Sequence, residues 1–364
     1  MLFPELDTPA VLVNLDVAEA NMKKLADAAS ARKVALRPHI KTHKSVYFAH
    51  RQLAHGAVGV TVAKIGEAEV MVDGGITDIL LAYPPIGPIK LRRLAQLMER
   101  ANIKVSIDSV EAGQGLSEMA RALGRTVEVY VDINTGLNRM GLPPGEPSAR
   151  LAVEIDRLPG VRVVGMMSHC GHVGREKTPE DLARAAREDA QRLVETAELA
   201  RKAGVDVRVV SPGSTPAALH HLEVEGVTEI RPGTYIFNDG NCVAVGSATL
   251  EECAVSVLAT VVSRPAPDRA VVDAGSKTLT NDRNLHREGF GIVKGIPTAL
   301  VASLSEEHGV LQLQDPSVPL KVGDRIEIIP NHVCPVINLA DEMVALKGGS
   351  VAGTIAVSAR GKRQ

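Results

Sequence analysis

Tryptophan is absent from the 364 residues, and aromatic side chains make up only 2% of them. With 45% hydrophobic residues still available, the core must be built from Ala, Val, Leu and Ile, a supply that suits helices packed closely on a sheet. The four cysteines, Cys170, Cys242, Cys253 and Cys334, include no CxxC pair; this excludes a disulfide framework in a chain of this size and leaves a buried thiol as the default for each. The formal net charge is -2, so there is no global basic field for nucleic acid, and a small-molecule partner is expected. No apolar run is long enough to span a bilayer, and the opening MLFPELDTPA is not a basic-then-apolar leader. A soluble, cytoplasmic protein is expected.

What the chain does have, from residue 16 to about 240, is an alternation of strand-like and helical stretches. Eight apolar, β-branched runs stand out: VALRP (34–38), VGVTVA (58–63), DILLAYP (78–84), IKVSID (103–108), VEVYVDIN (127–134), VRVVGMMSH (161–169), VRVVSPG (207–213) and TEIRPGTYIF (228–237). Amphipathic stretches separate them; one opens at Thr178 with Pro179 next and an acidic first turn, as a helix N-terminus should. Eight strands, each followed by a helical stretch, predict a (β/α)8 TIM barrel rather than a doubly wound sheet. Beyond Asn238 the runs become short, punctuated by Gly, Pro and Asp, with no convincing helix among them, which predicts an all-β C-terminal domain. The expected division is a barrel over 16–240 and a β domain made of 1–15 plus 241–364, the early run PAVLVNL (9–15) joining the latter.

In such barrels the functional groups lie at the carboxyl ends of the strands. Those ends carry Lys41, Lys64, Tyr83, Asp108, Asn134, Arg139, His169 and His172, followed by SPGST (211–215) and RPGT (231–234). The stretch LRPHIKTHKS (36–45) alone packs two histidines and three basic side chains at the end of the first run. Gly213 and Gly233 let backbone N–H groups approach an anion, and Ser211, Ser214, Thr215 and Thr234 add hydroxyl donors; this is where barrels commonly hold phosphate. A phosphate site facing a lysine suggests pyridoxal phosphate, whose aldehyde forms an imine with the lysine and whose ring acts as an electron sink.

RPHIKTHKS, VGVTVAKIGEAEV, DINTGLNRMG, SPGSTP, RPGTY and the late PNHVCPVINL together resemble the D-threonine aldolase and D-serine dehydratase family, a branch of the fold type III pyridoxal-phosphate enzymes related to alanine racemase. The resemblance covers nearly the whole chain and implies a barrel with a C-terminal β domain, assembled as a homodimer. It makes Lys41 the Schiff-base lysine, although Lys44 competes on chemistry alone. It places Arg139 on the phenolate side of the cofactor, His169 against its ring, and Arg231 opposite the pyridine nitrogen, within the RPGTY segment that also supplies Thr234 and Tyr235. His172 is a candidate acid or base with an equally good structural explanation.

NHVCP puts His332 and Cys334 at i and i+2 beside a strand ending in EIIP, so that both side chains would share a face. Imidazole and thiolate suit Zn²⁺, with positions left for water and substrate, and the family carries a divalent metal at this place; Mn²⁺ or Mg²⁺ are the other possibilities. Glu307 or His308 would orient these ligands. Within the family, aldolases show His, any residue, then Asp, while dehydratases show His, any residue, then Cys. Cys334 therefore favours elimination of water from a β-hydroxy-D-amino acid over retro-aldol cleavage to glycine and an aldehyde. A racemase would need a second base, usually a tyrosine of the β domain, and none of Tyr47, Tyr83, Tyr130 and Tyr235 lies there. A non-catalytic cofactor carrier would have no use for His332 and Cys334.

Overall fold

The computed structural model describes residues 2–364. The chain forms two compact units, an α/β unit of Lys24–Lys41, Val46–Gly233 and Lys362–Gln364, and a β unit of the chain up to Lys23, Thr42–Ser45 and Thr234–Gly361. Strand β1 is Ala10–Asn14; the α/β unit then holds eight parallel strands, β2 (Ala35–Leu36), β3 (Val60–Val62), β4 (Asp78–Leu81), β5 (Asn102–Ile107), β6 (Val127–Ile133), β7 (Val161–Ser168), β8 (Val209–Ser211) and β9 (Glu229–Ile230). β3 to β8 form one continuous six-stranded ladder, and β2 pairs β9 through Ala35↔Glu229 and Leu36↔Ile230.

Single hydrogen bonds close the ring: Val58 N and Thr61 N donate to Leu36 O and Pro38 O on one side, and Thr228 N and Arg231 N to Val210 O and Pro212 O on the other. The result is the expected barrel, with six strands in a regular ladder and β2 and β9 joined to it irregularly. The irregularity has a cause in the sequence. β2, β8 and β9 are followed within two residues by Pro38, Pro212 and Pro232, none of which has an N–H to continue a ladder. The runs at 34–38, 207–213 and 228–237 are therefore two or three residues of strand followed by turn, and Thr234–Ile236 winds into a 3₁₀ turn.

The barrel's outer helices obey the patterns read from the sequence. Pro179–Lys202 starts at Thr178, whose hydroxyl accepts from Asp181 N at 3.1 Å, and it buries Leu182, Ala186, Leu193, Ala197 and Ala200 at one-face spacing. Inside, Leu80, Tyr130, Val164 and Met167 pack together. Next to them Arg37 Nε donates to Glu229 Oε2 at 2.8 Å, and Asp78 bonds Arg37 and Lys104, so that the buried charges are paired.

The β unit contains β10 (Val255–Ala266), β11 (Arg269–Val272), β12 (Gly291–Val293), β13 (Ala299–Leu304), β14 (Gly309–Leu313), β15 (Arg325–Pro330), β16 (Glu342–Lys347) and β17 (Ser350–Ala356). β10, β11, β14, β13, β12 and β15 close into an antiparallel barrel, because β10 pairs both β11 and β15. β1 extends this sheet by pairing antiparallel to β10 (Val11↔Val257) and parallel to β16 (Leu12↔Val344). Three short helices in this region were not legible, Gly240–Ala244, Ser276–Leu279 and Val333–Leu339. The last follows β15 directly, with Val333, Val336 and Ile337 buried. Among the described residues no helix is long and apolar enough to cross a membrane.

Candidate active site

Lys41 is positioned by the irregular continuation of β2. His39 N donates to Pro232 O at 2.9 Å and Ile40 N to Thr61 O at 2.9 Å, which holds Lys41 at the carboxyl rim of the barrel between two neighbouring strands. It acts electrostatically on His39 and His169, two imidazoles that Arg139 and Arg231 also reach. Burial, and then the cations Lys41, Arg139 and Arg231, hold both imidazoles well below the usual histidine range, so both are neutral near pH 7.

Their hydrogen bonds set their tautomers. His169 Nδ1 lies 3.0 Å from Gly213 O and must carry the proton, because a carbonyl only accepts; Nε2 is then the basic atom. His39 is the reverse: Nδ1 accepts from Lys41 N at 3.3 Å, which leaves the proton on Nε2. His39 was not singled out from the sequence although it stands inside the quoted RPHIK. Asp132 was missed as well. Burial raises its carboxyl to about 6, against the opposing pull of Arg231 and Arg139.

The turn after β8 is braced from several sides. Gly213 O accepts from Cys170 N at 3.1 Å and from His169, and a Cβ on Gly213 would sit 3.2 Å from the guanidinium of Arg231. The amides of the buried Gly213, Ser214 and Gly233 make none of the hydrogen bonds found among the described residues, as expected of N–H groups that wait for an anion. Ser211 does not share that role. Its hydroxyl donates to Glu229 at 2.8 Å and accepts from Arg231 Nε at 2.9 Å. Arg231 Nη2 is likewise committed, to Ser168 O and Ser211 O, so this guanidinium supports the turn from beneath. Arg139 is exposed, and His172 packs its ring on Gly136, whose own Cβ, were there one, would meet His172 Nε2 at 2.7 Å. Lys64 and Tyr83, two of the rim residues, stack on each other with Nζ 3.5 Å from the ring centroid.

In the β unit, His332 and Cys334 come together for a different reason from the one expected. His332 is extended (φ -135°, ψ 108°) as the cap of the Val333–Leu339 helix, and Cys334 lies in that helix's first turn; the pair is not two alternate residues of a strand. Asp239 locks this junction: Oδ2 accepts from Val333 N at 3.1 Å and Oδ1 from Cys242 N at 3.0 Å. Asn331 donates to Asp282 O at 3.1 Å and Gly289 O at 2.8 Å. Asp282 Oδ2 then bonds His332 Nδ1 at 2.7 Å, which turns Nε2 toward Cys334. Burial alone would keep His332 neutral, but the Cys334 thiol, Asp239 and Asp282 outweigh it and raise the imidazole to about 10. Glu307 and His308 do not take part in this: both are exposed, and Glu307 pairs with Lys277 at 2.7 Å. Thr42, the residue after Lys41, bonds Cys334 Sγ at 3.2 Å, and Thr234 Oγ1 is 3.8 Å from the same sulfur. Tyr235 is buried, with 6% of its surface exposed.

Residues 13–240 match the family model of the alanine racemase N-terminal domain. The chain belongs to that family. Residues 254–346 of this alanine racemase-like chain match a second model, described as a putative serine dehydratase domain. The D-threo-3-hydroxyaspartate dehydratase of a Delftia strain is 36% identical over 90% of this chain and 91% of its own length. The D-threonine aldolase of an Arthrobacter species is 33% identical over 98% and 93%. The crystal structure of D-threonine aldolase from Filomicrobium marinum superposes with a TM-score of 0.94 at 35% identity, covering 100% of this chain and 97% of that one.

The residues present fit the cofactor and metal that such relatives would imply. The amides of Gly213, Ser214 and Gly233, without hydrogen bonds among the described residues, suit a phosphate, and a lysine beside imidazoles that Arg139 and Arg231 also reach suits an anionic aldehyde. An imidazole with Nδ1 held by a carboxylate and Nε2 facing a thiol suits a divalent ion of zinc's softness.

Proposed function

We propose that this chain is a pyridoxal-phosphate- and metal-dependent lyase that eliminates water from β-hydroxy-D-amino acids such as D-serine, 3-hydroxy-D-aspartate or D-threonine, giving a 2-oxo acid and ammonia. The observation that carries this reading is the His332–Cys334 pair, oriented by Asp282 and bonded through Cys334 Sγ to Thr42, the residue next to Lys41. Lys41 rather than Lys44 is the cofactor lysine in this reading: Lys41 acts on His39 and His169, the imidazoles that Arg139 and Arg231 also reach, whereas Lys44 is 7% exposed and belongs to the β unit.

Pyridoxal phosphate supplies an electron sink at the substrate's α-carbon, and a divalent metal, zinc by preference with manganese or magnesium as alternatives, supplies a Lewis acid at its β-hydroxyl. Gly213, Ser214, Thr215, Gly233 and Thr234 would hold the phosphate, with Arg231 stiffening the turn. Lys41 Nζ takes the α-proton, and the electrons left on the α-carbon expel the β-hydroxyl as hydroxide. His169, neutral and with Nε2 free to accept, positions the reacting face without adding charge. His332 and Cys334 hold the metal.

Retro-aldol cleavage is the second reading, favoured by the 33% identity to a D-threonine aldolase. The same reading makes the protein a cytoplasmic homodimer acting on a small molecule, not on nucleic acid or at a membrane. The test is incubation of the cofactor- and zinc-loaded protein with D-serine and L-serine. Pyruvate and ammonia from the D-enantiomer alone are expected, and pyruvate from neither would refute the assignment.

A further inference from the structure

Cys170, Asp189 and His221 lie outside everything assigned above. Cys170 follows β7, Asp189 is in the Pro179–Lys202 helix, and His221 ends a short helix after the SPGST turn; the three are 0%, 1% and 0% exposed. Their donor atoms converge, all within 4.8 Å of one another. His221 Nε2 is 3.6 Å from Cys170 Sγ and 3.6 Å from Asp189 Oδ2. His221 Nδ1 has no partner among the described residues. An N···O separation of 3.6 Å is too long for a hydrogen bond, so this fully buried ring has at most one weak contact to sulfur. Nε2, the nitrogen that faces both Cys170 and Asp189, thus has only that weak contact to sulfur among the described residues and is available to a ligand.

The donor set says which occupant. Asp189 is fixed by the hydroxyls of Thr135 and Ser168, and no lysine or arginine pairs with it among the described residues. A thiolate, a carboxylate and a neutral imidazole around a dication sum to zero charge, which makes burial affordable where separate charges would not be. Tetrahedral zinc with bonds of about 2.3 Å to sulfur and 2.0–2.1 Å to nitrogen and oxygen sets its ligands roughly 3.3–3.6 Å apart; the two distances from His221 Nε2 are both 3.6 Å, and all three donor atoms lie within 4.8 Å. Ser214 Oγ lies 3.2 Å from Cys170 Sγ, so the cluster touches the anion-binding turn.

We infer that Cys170, Asp189 and His221 form a structural zinc site, distinct from His332 and Cys334, that fastens Ser214 and with it the anion-binding turn. The ion enters as the chain folds, since no ligand atom is exposed afterwards. The inference is independent of the reaction proposed above. Its test is metal content by mass spectrometry of protein produced in zinc-supplemented culture and dialysed against chelator. The variant H332A/C334A is expected to retain one zinc per chain, and its retaining none would overturn the site. Because C170A or H221A variants could fail to fold, the second measurement uses the wild type: a zinc-edge anomalous difference map. A peak enclosed by Cys170 Sγ, Asp189 Oδ2 and His221 Nε2 supports the proposal, whereas water density without anomalous signal, or no density, refutes it.

Discussion

The Asp282–His332 contact offers a sharp perturbation, Asp282→Asn, which keeps shape and hydrogen bonding but removes the charge that fixes the imidazole tautomer. Carboxylates that hold a metal-ligating histidine this way are worth about 10–100-fold in metal affinity. Here the side chains of His332 and Asp282 are 40% and 46% exposed, so solvent screens part of the effect and the lower end applies. The expected loss is about tenfold, or about 1.4 kcal/mol. The assay is the free zinc concentration that restores half-maximal turnover to chelator-treated protein, which reads the His332–Cys334 ion and is blind to a closed structural site. Glu307→Gln is the control: its carboxylate pairs with Lys277 at 2.7 Å, so the half-restoring concentration should not move. An Asp282→Asn protein with the wild-type zinc requirement, or an equal shift from Glu307→Gln, would refute the role given to Asp282.

Three further outcomes are expected. Lys41→Ala should abolish both turnover and the visible absorbance of bound cofactor, while Lys44→Gln keeps the absorbance; the opposite pattern in a spectrophotometer would reassign the lysine. Gly59→Ala should lower the urea midpoint by an amount equivalent to about 3 kcal/mol or more, since φ is +155° there and a Cβ would sit 2.5 Å from Asp78 O as well as against Arg37. Asp132 has a folded-state pKa of about 6 against a reference of 3.8, so the folded state binds more protons between these values and stability falls as pH rises from about 4 to 6. Asp132→Asn should therefore gain on the order of 2–3 kcal/mol over wild type at pH 7–8, with the gain vanishing near pH 4 in denaturant titrations. A pH-independent difference would count against a buried, reluctantly charged carboxylate.

The strand-helix alternation was legible because β-branched runs and capped amphipathic stretches are local signals: Thr178 and Pro179 open their helix as read. What escaped was whatever depends on distant residues. The prolines that shorten β2, β8 and β9 sit in plain view, yet their effect requires knowing which N–H would have continued the ladder. His332 and Cys334 were found from their spacing, but the strand geometry invoked for them was wrong, because Asp239, far back in the chain, caps Val333 N and starts a helix there. Asp282 lies in an irregular loop with no periodicity, and only folding brings it to His332. Cys170 was legible only as a buried thiol, because its partners Asp189 and His221 stand on elements that only tertiary packing joins to it.

The central claim, elimination rather than carbon–carbon cleavage, is tested most directly by product analysis after the zinc- and cofactor-loaded protein is incubated with D-threonine. The account predicts 2-oxobutyrate and ammonia in equal amounts; glycine and acetaldehyde would contradict it and show that a thiolate ligand at Cys334 does not direct the reaction.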